Sequence, residues 1–176
     1  QNSKYISKVI CHSTYERDYP YCVSNLPEKT CVIPNGVKIH EFDSNKLDRA
    51  DLLPELTNKF WVVNISNFFP GKGQKNIFTI LDKLSSKIKD NIVYLQIFNL
   101  SDLDIVQKNE SDWGIAAAKS NIKTIPLKNL PREKVIGFLK NSNIFVFPSD
   151  KEVAPLVLLE AMAARLPWVS TNVGNA

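Results

Sequence analysis

Apolar residues along the chain gather into short blocks whose period changes from one to the next. Phe60-Trp-Val-Val-Asn-Ile-Ser66, Asn91-Ile-Val-Tyr-Leu-Gln-Ile-Phe98, Asn121-Ile-Lys-Thr-Ile-Pro126, Asn143-Ile-Phe-Val-Phe-Pro148 and Trp168-Val-Ser-Thr-Asn-Val173 are rich in β-branched and aromatic residues. Blocks of that length, several of them nearly continuous, predict strands buried on both faces. Between them the spacing turns helical: Ile77, Ile80, Leu81, Leu84 and Ile88 form one stripe, and Val135, Phe138 and Leu139 another. Ser101 is predicted to cap a helix from Asp102, while Val106 to Lys119 shows no clear period. Alternating strands and helices predict an α/β fold with a parallel sheet. Ahead of this unit, the pattern predicts a strand over Ile6–Ser13 and a short helix over Thr14–Val23 broken by Pro20. A strand from Thr30 should then run into an Asn35-Gly36 turn, and Asp43–Lys59 reads as a polar linker with a short helix.

The segment from Asn143 to Gly174 carries the most chemistry. A strand stopped by Pro148 should turn sharply into a helix with Pro155 at its first position, where a missing N–H is harmless. From Leu156 to Leu166 that helix is apolar except at Glu160 and, near its end, Arg165. A lone carboxylate there needs a partner, and two readings stand: a Lys or Arg ion pair, or a cleft with a ligand. Glu152 lies eight residues earlier, across the turn, and the helix N-terminus between the two attracts anions. At helical rise, Glu160 is about 7 Å along the axis from Pro155, a spacing that suits a phosphate and its attached ribose. The loop Asn67-Phe-Phe-Pro-Gly71-Lys72-Gly73 follows the first strand of the unit, at the carboxyl end where open α/β sheets bind ligands. It lacks the spacing of a P-loop, and Lys72 alone also reads as a solvated loop lysine.

Composition narrows these readings. With 176 residues, 44% hydrophobic and 23% charged, the chain can build one packed α/β domain and a leading arm. Its 22 basic and 18 acidic residues, a net charge of +4, suit an anionic ligand, and no basic block points to nucleic acid. No apolar run reaches the length of a membrane span and no secretory leader pattern opens the sequence, which reads as soluble. Cys11, Cys22 and Cys31 form an odd set without C-x-x-C spacing, so a reducing compartment is expected and no metal site is predicted. Asp102-Leu-Asp104 has a D-x-D spacing that can hold a divalent metal, but two acids in a first helical turn are common.

Pro148-Ser149-x-x-Glu152, seven residues to Glu160, then Ala161-Met162-Ala163 and Leu166-Pro167-Trp168-Val169 through to Gly174, resembles the signature of family-4 (group 1) retaining glycosyltransferases of the GT-B fold. Ile33-Pro-Asn-Gly-Val37 followed by Phe42 resembles the same family's passage into its C-terminal, donor-binding domain. The resemblance implies a Rossmann-like doubly wound parallel sheet, one half of a two-domain enzyme. Residues 1–42 would be an overhang from the N-terminal domain with the interdomain linker, and residues 43–176 a nucleotide-sugar-binding domain truncated at its C-terminus. It implies sugar transfer, of the hexosyltransferase type, from a nucleoside diphosphate sugar (UDP or GDP type) to a sugar, lipid or protein acceptor. Configuration would be retained, with no cofactor or metal, in the cytoplasm or at the cytosolic face of a membrane. The missing N-terminal domain would be its structural partner, without which the chain should not catalyse transfer. By resemblance Glu152 is the catalytic residue that holds the transferred sugar, and Glu160 holds the ribose. Lys72 and Gly73 face the diphosphate, with Asn67 where the family carries an Arg. Lys128 stands near a family glycine at the base site. Leu156 and Val157 supply main-chain contacts, since Pro155 removes one N–H. Asn67, and Arg165 where the family favours glycine, keep a non-catalytic nucleotide-binding or interaction module as the alternative. An epimerase or phosphorylase fits the Ala-Met-Ala and Leu-Pro context less well.

Overall fold

The computed structural model describes residues 3–15 and 19–174. Five strands, β3 (Phe60–Ile65), β4 (Ile92–Phe98), β5 (Lys123–Lys128), β6 (Ile144–Phe147) and β7 (Trp168–Ser170), pair in parallel in the order β5-β4-β3-β6-β7. A separate parallel pair, β1 (Val9–Cys11) and β2 (Thr30–Val32), precedes them and is joined by helix α1 (Tyr19–Asn25). Counted from β3, the large sheet runs 3-2-1-4-5, and the chain reverses direction across the sheet between β3 and β6. That reversal opens a crevice at the carboxyl ends of these two strands.

Both faces of the sheet are covered, as the continuous apolar strands require. Alternate residues of β3 point opposite ways: Trp61 and Val63 join Ile136, Phe138, Leu139, Leu158 and Ala161 in one core layer. Val62 joins Ile77, Phe78, Tyr94, Phe98, Val106 and Trp113 in the other. The first layer lies under α7 (Arg132–Asn141) and α8 (Leu156–Ala163), the second under α4 (Asn76–Leu81) and α6 (Asp104–Lys119). This is the Rossmann-like doubly wound sheet expected from the sequence. Pro126 is tolerated in β5 because that strand is an edge.

Several boundaries differ from the sequence reading. The helix expected through Leu84 and Ile88 is two, α4 and α5 (Ser86–Lys89), and Ile80 and Ile88 lie in solvent. The chain turns at 82–85, so one apolar stripe does not persist across the break. The unreadable stretch forms the longest helix, α6, which buries only Val106 and Trp113 and therefore shows almost no stripe. It begins at Asp104, not Asp102; the Ser101 hydroxyl instead accepts from the Leu103 amide at 3.3 Å. Pro155 is the N-cap of α8, one residue outside the helix. Pro20 does not break α1 but sits in its first turn, where a missing N–H loses no helical bond; residues 16–18 lie outside the described residues. Asn35-Gly36 makes no turn, and its segment runs irregularly from β2 to α2 (Ile39–Ser44).

The linker is well fastened. The side chain of Arg49, the first residue of α3 (Arg49–Leu52), donates to the carbonyls of Asn141, Thr57 and Lys59 and to Asn143 Oδ1, and its guanidinium lies 4.7 Å from the Trp61 ring centre. Its charge thereby closes the amino-terminal end of the sheet. A division after residue 42 falls inside α2, whose Phe42 is buried in the main core.

Candidate functional site

The crevice between β3 and β6 holds a cavity of about 340 Å³ lined by Asn67, Lys72, Glu152, Leu156 and Val157, with Asn35 and Phe69 on its rim. One wall is the loop after β3. The other is the loop after β6, residues 148–155, which leads into α8. Helix α8 therefore starts at the cavity; the Leu158 amide donates to the Pro155 carbonyl at 3.3 Å, while those of Leu156 and Val157 have no preceding helical carbonyl to bond.

The two loops touch closely. A Cβ on Gly73, whose φ is +66°, would lie 1.9 Å from the Pro148 carbonyl oxygen, so only glycine fits. The Asp150 amide donates to the Gly71 carbonyl at 2.7 Å. On the far side of the second loop, a Cβ on Gly174 would approach the Val153 carbonyl oxygen to 2.6 Å, and Thr171 Oγ1 donates to the Ser149 carbonyl. The loop bearing Glu152 is thus gripped from both sides.

Lys72 Nζ and Glu152 Oε1 meet at 2.5 Å across the cavity. Their side chains retain 29% and 13% exposure, so the pair is partly desolvated and the two charges neutralise each other. Asn67 spends its Oδ1 on the Asn99 amide, 2.9 Å away, which fixes the loop after β4. Gly73 lies in the loop contact and does not line the cavity.

Glu160 lies one turn beyond Leu156 on α8 and has a partner: Arg132 Nη1 is 2.5 Å from its Oε1. Arg132 Nε also reaches Glu41 Oε2 at 3.2 Å, and its guanidinium stands 5.6 Å from the Phe42 ring centre. Burial alone would lower the Arg132 pKa, but Glu160 and Glu41 outweigh it and raise it. Lys128 points elsewhere, to Glu110 at 2.8 Å and over the Phe98 ring. The residue at the end of β5 that needs a glycine-like conformation is the next one, Asn129, with φ +50°. Its Oδ1 accepts from the Leu100 amide at 2.9 Å, a bond glycine could not make.

Beneath the cavity runs a buried polar network that the sequence reading missed. Asn64 donates to the Val146 carbonyl at 2.7 Å and accepts from the Ser66 hydroxyl at 2.7 Å. Gln96 accepts from Tyr94 and donates to the Ser66 carbonyl at 3.0 Å, while Gln74 donates to Ser66 Oγ and the Asn67 carbonyl, both at 2.9 Å. Burial raises the Tyr94 hydroxyl well above its usual pKa, which keeps it protonated as a donor. The signal was present: Asn64 and Gln96 interrupt otherwise apolar strands and face each other in register. Asn35, also missed, donates from Nδ2 to the Ala154 carbonyl at 2.9 Å and ties the leading segment to the cavity rim.

Among the described residues no cluster of three or more His, Cys, Asp or Glu is arranged to hold a metal ion, and no helix is long and apolar enough to cross a membrane.

Residues 48–176 match the family profile described as glycosyl transferases group 1. The UDP-Gal:alpha-D-GlcNAc-diphosphoundecaprenol alpha-1,3-galactosyltransferase of Escherichia coli is 26% identical over 98% of this chain. The capsular polysaccharide biosynthesis glycosyltransferase CapM of Staphylococcus aureus is 29% identical over 81%. The chain spans 44% and 36% of these two relatives. Among solved structures, Anabaena HepE in complex with UDP and glucose superposes with a TM-score of 0.73 and 21% identity over 96% of this chain and 45% of its own.

Proposed function

The chain belongs to the group 1 glycosyl transferases, and on that footing we propose that it is the nucleotide-sugar half of a two-domain GT-B enzyme that transfers a hexose with retention of configuration. The donor domain, residues 43–176, also takes in the start of α2 with its buried Phe42, and the segment ahead of α2 carries the passage from an N-terminal domain that supplies the acceptor side. One observation carries this reading: Lys72 and Glu152 meet over the amino end of α8, in the crevice where the sheet reverses.

In this proposal the diphosphate enters between Lys72 and the amides of Leu156 and Val157, where a cation and a helix N-terminus together stabilise its charge. That stabilisation grows as the leaving diphosphate gains charge, which lowers the barrier to sugar transfer. Glu152, released from Lys72, accepts hydrogen bonds from the transferred sugar; Glu160 accepts them from the ribose. The donor is of the UDP or GDP type, with UDP favoured by the E. coli relative and by the UDP bound to HepE. No metal or cofactor takes part, since Lys72 and the helix supply the positive potential. The acceptor is a sugar, lipid or protein of polysaccharide or glycoconjugate synthesis, and the work is cytoplasmic, at the cytosolic membrane face when the acceptor is a lipid. Transfer itself needs the second domain to exclude water and to hold the acceptor, so this chain alone binds donor without turning it over.

Titration calorimetry with UDP, GDP and their sugars tests the reading. Lys72→Ala should weaken nucleoside diphosphate binding by roughly 1–3 kcal/mol, the range of a charge-assisted contact. Unchanged affinity would place the diphosphate elsewhere. Asn67, with no charge and its Oδ1 committed to Asn99, favours a second reading, a binding module without chemistry. That reading predicts no gain in affinity when a sugar is attached to the nucleotide.

A further inference from the structure

Arg132 occupies the first position of α7, where a cation opposes the helix dipole. Such a placement needs compensating anions, and two are present on different elements: Glu160 on α8 and Glu41 on α2. The guanidinium is therefore tethered independently of Glu160, by Glu41 and by its approach to the Phe42 ring. It is the fixed member of the group, against which Glu160 is oriented.

Two geometric facts bear on what that orientation serves. Glu160 follows Leu156 by four residues and Val157 by three, so it shares the helical stripe of the two residues that line the cavity. Arg132 engages only Oε1; Oε2 accepts no hydrogen bond among the described residues, although the Glu160 side chain keeps just 16% exposure. A carboxylate held by one oxygen, with the other left for a neighbour, is preset as an acceptor for a hydroxyl arriving along α8.

We propose that Arg132 is a positioning residue: it anchors Glu160 through Oε1 and presents Oε2 to the ribose hydroxyls of the bound nucleotide. This rests on the donor-binding reading of the cavity. Arg132 does not touch the diphosphate, so its influence is confined to ligands that carry a ribose with free hydroxyls. Its 45% exposure makes it replaceable without opening the core.

The test compares UDP, 2′,3′-dideoxy-UDP and inorganic pyrophosphate by calorimetry on the wild-type chain, Arg132→Met and Arg132→Lys, with thermal melting of each. Arg132→Met should lose about tenfold in UDP affinity, the scale of one hydrogen bond to a charged group, while its affinities for the dideoxy analogue and pyrophosphate match those of wild type. Arg132→Lys keeps the charge but not the fork that spans both carboxylates, so it should recover part of the loss. If Arg132→Met does not fold, the lysine variant decides: a selective loss for UDP supports the assignment, and wild-type UDP affinity overturns it. Equal binding of all three ligands by Arg132→Met and wild type overturns the positioning role and leaves the donor reading standing. An equal loss for all three also overturns it, since it would mark a general structural effect. Wild-type protein that binds none of the ligands would sink the donor reading itself, and this inference with it.

Discussion

Glu152→Gln should strengthen the binding of UDP, although it removes a residue of the proposed active site. Lys72 is paired with Glu152 at 2.5 Å, so any anion that takes the lysine must first break that pair. Both side chains are partly buried, Lys72 at 29% exposure and Glu152 at 13%. A charge-assisted contact in this setting, discounted for residual solvent, contributes roughly 1–2 kcal/mol. Glutamine preserves the shape of the loop and leaves a far weaker partner for the ammonium group. That free energy then passes to the ligand, and UDP affinity should rise about 5- to 30-fold. A UDP-sugar should gain less, because the variant loses the carboxylate proposed to accept from the sugar hydroxyls. The ratio of UDP-sugar to UDP affinity should therefore fall. Calorimetric titration of both ligands against both proteins measures all four constants. UDP affinity equal to or below that of wild type would show that Glu152 does not compete for Lys72, and the proposed exchange would be wrong.

Two further outcomes concern stability. Arg165 sits at φ +57° just after α8, where its amide donates to the Met162 carbonyl and that of Leu166 to the Ala161 carbonyl, both at 2.9 Å. Arg165→Gly should relieve the left-handed strain and raise stability by roughly 0.5–1 kcal/mol, read as a higher denaturant midpoint; a lower midpoint would show that the arginine stabilises the turn by another route. Gly73→Ala places a methyl group 1.9 Å from the Pro148 carbonyl oxygen. It should cost about 3 kcal/mol and lower the melting temperature by roughly 6–12 °C, and an unchanged melting temperature would mean that the two loops separate easily.

The centre of the sheet was legible because β3 and β4 are buried on both faces; the edge strands β5 and β7 are not, and were legible from their β-branched residues between turn formers. Helix α8 was legible from its run of strong helix formers after Pro155, although it buries only Leu158 and Ala161. Helix α6 was not: it covers one end of its core layer with Val106 and Trp113 while leaving Ile105 and Ile115 in solvent, so burial writes no period into its sequence. The break between α4 and α5 was hidden by the reverse effect, since Ile80 and Ile88 continue a stripe that the fold does not bury. In the site, Lys72 and Glu152 lie in the loops after recognisable strands and Leu156 and Val157 at the start of α8, and it was the family resemblance that drew them into one site. Glu160 left two readings open from the sequence. Its partner, Arg132, lies 28 residues away on another helix, and a contact of that range leaves no local pattern.

The grip on the loop after β6 limits how this domain can change. Gly73 presses on Pro148 at the start of the loop, and Gly174 presses on the Glu152 and Val153 carbonyls further along. A residue inserted between these points has room only at Asp150 and Lys151, which face solvent, and a deletion would pull Glu152 away from Lys72. Change in loop length is therefore confined to that outer tip and leaves the clamped ends in place. In the proposed donor site, new sugar preferences would then arise chiefly by exchanging side chains at Val153 and Ala154, and a library built for that purpose should randomise those two positions and leave the glycines alone.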